Sequence, residues 1–224
     1  MTTSAAFMPS RAAIERAANE FQLSLSDIQV EQIQQYTKLL WTWNDKVNLT
    51  AIRDPLDILY RHFCESMFGA ALLPVENCRL ADVGSGGGFP GIPLKIMRSD
   101  LHVFLVESNF KKATFLAEVV RELGLTDTRV LVSRFEELGE EVAPLDVVCS
   151  RALGDFANFL GWAASPHIAA KQALLWLGGR DLEEVRTQPS WTWSEPVAVP
   201  KSLQRFLLLG NRIGEPFLTP SPPV

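Results

Sequence analysis

Apolar residues recur at helical spacing through the first third of the chain. Val30, Ile33, Tyr36, Leu40 and Trp43 fall three or four apart, the mark of a helix with one buried face. Ser26 and Gln29 precede them at capping-box spacing, where a hydroxyl and an amide satisfy groups the first turn leaves unpaired. A loop is predicted around 44–48. Asp54 and Pro55 then open a second helix as N-cap and first helical residue. It runs through Ile58, Leu59, His62, Phe63 and Met67 and ends near Pro74.

From residue 79 the pattern changes. Short apolar runs at 80–83, 102–106, 130–132, 147–149, 173–177 and 206–209 read as strands, with helices at 93–97, 113–123 and 156–164. In the middle helix Phe115, Leu116, Val119, Val120 and Leu123 share one face. Such alternation builds a parallel sheet covered by helices on both sides, so the fold class is α/β. The 224 residues suffice for one full α/β domain and a modest extension. The division read from the pattern is a helical extension over 1–75, a sheet domain over 76–212, and a proline-rich tail over 213–224 expected to be disordered.

The chemistry concentrates in LADVGSGGGFPGIP, residues 80–93. Gly84, Gly86 and Gly88 leave the first strand with no side chains in the way, so the backbone can turn tightly and approach a ligand. Asp82 stands before the turn, where it can orient the loop through hydrogen bonds. Two frames compete. From Gly86, positions 86, 88 and 91 satisfy the dinucleotide pattern G-x-G-x-x-G; from Gly84, its third glycine falls on Phe89 and the pattern fails. The strand is predicted to end at Val83, which favours the Gly84 frame. Its form, D-x-G-x-G-x-G, is similar to the loop of S-adenosylmethionine-dependent methyltransferases. Glu107, ending the next strand, places a carboxylate where it can accept both ribose hydroxyls of a nucleoside, in either frame. Phe135 and Glu136 follow the third strand, where an apolar ring face and an acceptor suit adenine.

Composition narrows the alternatives. No apolar run approaches the length needed to cross a bilayer, and the N-terminus lacks the basic start and apolar core of a signal peptide. A cytoplasmic protein without membrane contact is the default, monomeric for want of contrary signs. Cys64, Cys78 and Cys149 are scattered, as are His62, His102 and His167, so neither disulfides nor a metal site is suggested. The net charge of −5 argues against strong non-specific nucleic-acid binding. Yet residues 91–134 carry seven Lys and Arg against five Asp and Glu. That basic stretch beside the glycine loop is compatible with a phosphate-bearing substrate.

The methyl acceptor is constrained by absences. An (Asp/Asn)-Pro-Pro-aromatic motif, used on exocyclic amines, is missing after the fourth strand, which reads DVVCSRA at 146–152. Attack at cytosine C5 needs a cysteine nucleophile, but Cys149 lacks the preceding proline and reads as an apolar strand residue. Guanine N7 carries a free lone pair and no proton. No general base is then required, and positioning supplies most of the rate.

Several segments together carry a resemblance: KLLWTWNDKVNLTAIRDPLDILYRHFCESM (38–67), ADVGSGGGFPGIPLKI (81–96), VESNFKKATFLAEV (106–119), SRFEEL (133–138) and SRA (150–152). Over roughly residues 25–210 the chain resembles the bacterial small-subunit rRNA guanine-N7 methyltransferase family (RsmG, or glucose-inhibited division protein B). The resemblance implies a Rossmann-like class I methyltransferase sheet flanked by helices. It also implies S-adenosyl-L-methionine as cofactor, and transfer to N7 of a guanine in the decoding-region loop of 16S rRNA, in the 30S subunit or its precursor. Cofactor positions carry over to Gly84, Phe89, Phe135, Glu136 and Arg151, the last a cation able to grip a carboxylate or phosphate. Asn48, Arg53, His62, Lys111 and Lys112 match positions implied to face RNA, as charges on phosphates rather than base readers.

Two departures stand out. Gly178, in WLGGR, occupies the place of a lysine usual near the end of the fifth strand, with Arg180 close enough to compensate; Phe110 replaces a glycine in ESNG. The lost lysine motivates an alternative function, an RNA-binding ribosome-assembly factor with weak or altered methyltransferase activity. A nicotinamide-dependent oxidoreductase using the Gly86 frame is a third.

Overall fold

A computed structural model describes residues 8–74, 77–151 and 153–215. The N-terminal helices are α1 (Arg11–Glu20) and α2 (Asp27–Val47). The Ser26–Gln29 capping box forms in both directions. Helix α2 does not stop at a loop near residue 44. Asn44 lies buried within it, donating its amide to Thr50 O and accepting from Thr50 N, both at 2.9 Å. That clasp lets the helix run to Val47, and Asn48 closes it in the left-handed region at φ 52°.

Asp54 caps α3 (Pro55–Ile58) by accepting from the amides of Leu56 and Asp57. The helical path continues as a π-helical turn (Leu59–Cys64), α4 (Glu65–Phe68) and a 3₁₀ turn (Gly69–Leu72). The wide turn lies at the RHFC text, a disposition often found at functional sites.

The sheet runs β3-β2-β1-β4-β5-β8-β6, with β7 paired to β8. Strands β1 (Arg79–Val83), β2 (His102–Val106), β3 (Thr128–Leu131), β4 (Val147–Arg151) and β5 (Gln172–Gly178) are mutually parallel. Between them lie α5 (Gly91–Met97), α6 (Phe110–Glu122) and α7 (Phe156–Ala164). Beyond β5 the expected all-parallel pattern fails. After α8 (Asp181–Arg186), β6 (Trp191–Trp193) and β7 (Val197–Ala198), the last strand β8 (Arg205–Arg212) runs antiparallel to β5. A right-handed crossover needs a helix long enough to carry the chain back along the sheet. Helix α8, six residues long, rises only about 9 Å.

Each face of the sheet has its own core. One holds Ile33, Tyr36, Phe63, Phe115 and Leu174 and is closed by the N-terminal helices with α5 and α6; the other holds Val83, Val148, Phe159 and Leu208 under α7 and α8. The N-terminal helices therefore share a core with the sheet. No helix among the described residues is long and apolar enough to cross a membrane. The tail over 216–224 lies outside the described residues.

Candidate active site

Strand β1 lies between β2 and β4, so the connections leaving β1 and β4 diverge and open a crevice at their carboxyl ends. The glycine loop fills one side of it. Gly84 and Gly86 take φ of 72° and 57°. A Cβ on Gly84 would stand 3.6 Å from Leu153 Cδ1 and one on Gly86 3.7 Å from Gly84 O, ordinary contacts that leave both positions uncrowded. Gly88, at φ 88°, is different: a Cβ there would stand 2.7 Å from Ile92 Cδ1 and against the Tyr36 hydroxyl. It serves close packing and is buried away from the crevice, unlike its expected ligand role.

Two carboxylates fix the loop. Fully buried Asp82 accepts the Gly91 amide on Oδ2 at 3.0 Å, as its orienting role required. Burial pushes its carboxyl up to about 7, against the pull of the Gly91 N–H. Glu107 accepts from Gly86 N on Oε2 at 2.9 Å and from Asn109 N on Oε1 at 2.7 Å. Each carboxylate oxygen has two lone pairs, so an acceptor site remains on each for a ligand hydroxyl. The Tyr36 hydroxyl clamps the loop from behind by donating to Gly87 O.

Gly84, Glu107, Phe135 and Glu136 line a single cavity of about 300 Å³ with Ser133 and Leu153. The Phe135 ring is held edge-on by Trp162 at 5.3 Å, and Glu136 Oε1 accepts from Asn158 Nδ2 at 2.9 Å. A nucleoside fits this donor set: main chain without side chains, a fixed carboxylate, and an aromatic wall.

A second cavity, about 370 Å³, opens beyond β4 and β5 and is lined by His62, Glu65, Arg151, Trp176, Gly178 and Arg205, among others. Arg151 Nη1 donates to Arg61 O at 2.7 Å, and Nη2 to His62 Nδ1 at 2.5 Å. A guanidinium only donates, so His62 carries its proton on Nε2, which donates to Thr50 Oγ1 at 2.6 Å. Burial, reinforced by Arg151, Arg61 and Arg205, lowers His62 to about 3, so the ring is neutral near pH 7.

Three further expected site residues lie away from the nucleoside cavity. Phe89 does not face the nucleoside cavity. Its buried ring stacks between Tyr36 (5.3 Å, 9°) and His62 (4.7 Å, 18°), with Arg151 at 5.5 Å from its centroid. His62 is not an exposed RNA contact but an internal link between Thr50 and Arg151. Arg151 lines the second cavity, not the first. Asn48 and Arg53 are exposed, Arg53 3.4 Å from Asp45. Lys111 is exposed and Lys112 half-buried at the start of α6, beside exposed Phe110.

The basic stretch does not make one face. Lys95 is buried, donating to Ser99 O and Leu101 O, while Arg98 pairs with Asp100 and Arg121 with Glu122. Cys149 is fully buried, and burial raises its thiol well above the ordinary range, which suits an apolar strand residue. Sequence reasoning missed Thr50, Glu65, Trp176 and Arg205. For Glu65 a signal existed, since it lies in the RH…ES text, but its spacing assigned no partner. Arg180 is exposed and lines neither cavity. Arg205 does, as the cross-strand partner of Gly178.

A sequence profile described as rRNA small subunit methyltransferase G matches residues 29–205. The chain is 43% identical over 148 residues to ribosomal RNA small subunit methyltransferase G of Roseiflexus castenholzii, covering 65% of this chain and 63% of that protein. It is 39% identical over 159 residues to the protein of the same name from Dichelobacter nodosus, covering 71% and 74%. The matched stretch thus spans just under two thirds of the first relative and more of the second. The fold is similar to the crystal structure of a SAM dependent methyltransferase from Aquifex aeolicus, with a TM-score of 0.59 at 16% identity over 74% of this chain and 97% of that one.

Proposed function

The chain belongs to the rRNA small subunit methyltransferase G family, and from that premise we propose that it transfers a methyl group from S-adenosyl-L-methionine to N7 of a guanine in the decoding-region loop of 16S rRNA. It acts in the cytoplasm, as a monomer, on the 30S subunit or its precursor. The observation that carries this reading is the meeting of Gly84, Glu107, Phe135 and Glu136 in one cavity, beneath a loop that Glu107 itself latches.

In that cavity Gly84 would offer main chain, with Gly86 beside it latched by Glu107; Glu107 would take the sugar hydroxyls on its remaining lone pairs, and Phe135 would back the adenine with Glu136 beside it. Bound there, S-adenosylmethionine would supply an electrophilic methyl group to the guanine N7 lone pair, with S-adenosylhomocysteine as the leaving group. The protein's task is positioning. His62, neutral and tied to Thr50, and Cys149, buried and protonated, are unsuited to general-base or nucleophilic work, and an N7 acceptor needs neither. Lys111, Arg53 and Asn48 would meet the RNA backbone, a reading their exposure supports.

The alternative, an assembly factor with weak activity, drew its motive from Gly178. Arg205, directly opposite on β8, brings a cation to the same cavity and weakens that motive. The deciding experiment supplies labelled S-adenosylmethionine and this protein to 30S subunits lacking the modification, then maps the label. One N7-methylguanine in 16S rRNA is the expected result. Subunit binding without incorporation favours the assembly factor, and label elsewhere removes the substrate assignment.

A further inference from the structure

Glu65 is the least expected group in the second cavity. Its side chain is only 4% exposed, yet it lines that space. Oε1 is 2.6 Å from Arg205 Nη2, while Oε2 has no hydrogen-bond partner among the described residues. The Glu65 backbone is fixed from behind: Trp176 Nε1 donates to the main-chain carbonyl of Glu65 at 2.8 Å, and Trp176 rests on Gly69, where a Cβ would strike the ring. A carboxylate oxygen that faces a cavity with no protein donor is free to accept a hydrogen bond from an occupant. Around it Trp176 and Phe156 supply aromatic walls with Ile52 beside them, and Arg61, Arg151 and Arg205 supply cations. Aromatic walls with a cationic surround match a nucleobase that arrives on a phosphate backbone.

We propose that this cavity receives the acceptor base and that Glu65 is the specificity-determining residue, its carboxylate accepting the adjacent N1–H and N2–H of guanine. The inference rests on the reading above and goes further by assigning the base pocket and its reader. Guanine presents two adjacent donors on one edge. Adenine would turn the N1 lone pair toward the carboxylate and be repelled. A purine held by that edge leaves N7, on another edge, free of Glu65.

The same contact favours the reaction. N7 methylation leaves the purine with a positive charge and removes no proton. The N1–H becomes a stronger donor as that charge develops, so its bond to Glu65 strengthens on the way to the transition state. Only interactions that tighten in this way accelerate a chemical step. Burial raises the Glu65 carboxyl above the ordinary carboxylate range, and Arg205, Arg151 and Arg61 oppose that rise.

The test compares single-turnover methylation of reconstituted 30S subunits carrying guanine or inosine at the target position. Inosine keeps N7 and N1–H but lacks the N2 amine. The native protein should methylate the guanine substrate at least about tenfold faster, the worth of a charge-assisted hydrogen bond. Glu65→Gln should slow guanine methylation about a hundredfold and shrink the guanine-to-inosine ratio towards one, with S-adenosylhomocysteine affinity unchanged within about twofold. Equal rates on guanine and inosine with the native protein, or an undiminished ratio in Glu65→Gln, overturn the assignment. The native comparison needs no variant to fold. Failure of the native protein to methylate even the guanine substrate instead defeats the parent reading and is distinguishable from both.

Discussion

Glu107 Oε2 accepts the amide hydrogen of Gly86 at 2.9 Å, so the carboxylate that faces the nucleoside cavity is also the latch of the glycine loop. Loop and ligand contact thus depend on one side chain. Glu107→Ala should weaken S-adenosylhomocysteine binding by two orders of magnitude or so, since it removes two loop bonds and the sugar acceptor together. Glu107→Gln, which keeps one acceptor oxygen, should lose less. Titration calorimetry on both variants checks the order, and equal affinity in Glu107→Ala contradicts the latch.

The glycines of the loop should separate into two kinds. Gly88→Ala, with Tyr36 and Ile92 in the way and φ at 88°, should destabilise the fold by about 2–4 kcal/mol. Gly84→Ala meets Leu153 at an ordinary contact distance of 3.6 Å and should cost only about 1 kcal/mol, from its positive φ. Any larger effect of Gly84→Ala should fall on cofactor affinity. Urea unfolding beside calorimetry distinguishes the two.

Tyr36→Phe removes the hydroxyl that donates to Gly87 O while leaving the stack on Phe89 in place. The expected loss is about 1–3 kcal/mol, because a buried carbonyl loses its donor. Denaturation midpoints with unchanged m-values would support a local effect.

Two buried groups should give opposite pH slopes. His62 is lowered from 6.5 to about 3, so its contribution is present above pH 6.5 and is lost as pH falls towards 3. Asp82 is raised from 3.8 to about 7. The native state therefore binds its proton more tightly than the unfolded chain, and its contribution is full below pH 3.8 and lost as pH rises through 7. Relative to the native protein, His62→Gln should flatten the acid-side loss, and Asp82→Asn should flatten the fall between pH 4 and 7. Each slope integrates to a few kcal/mol at most. Unfolding free energies measured across that range read both, and parallel curves for native protein and variants contradict them.

What the sequence disclosed follows physical range. The caps at Ser26 and Asp54 and the strand at 102–106 were legible because caps are set by neighbours within a few residues and a short continuous apolar run marks a strand buried on both faces. Asn44 misled because asparagine is a poor helix former, and only its clasp on Thr50 explains its place in α2. The resemblance placed Phe89 near the cofactor by position. The direction of its ring is set by Tyr36 and His62, which come from other helices. Glu65 and Arg205 are remote in sequence and meet because β8 runs antiparallel beside β5, the part of the topology that alternation did not foretell.

The most direct measurement is diffraction from crystals of the native protein soaked with S-adenosylhomocysteine. The adenosine should lie in the cavity of Gly84, Glu107, Phe135 and Glu136, its ribose hydroxyls on the Glu107 carboxylate. Density for the ligand elsewhere, with that cavity empty, would contradict the account.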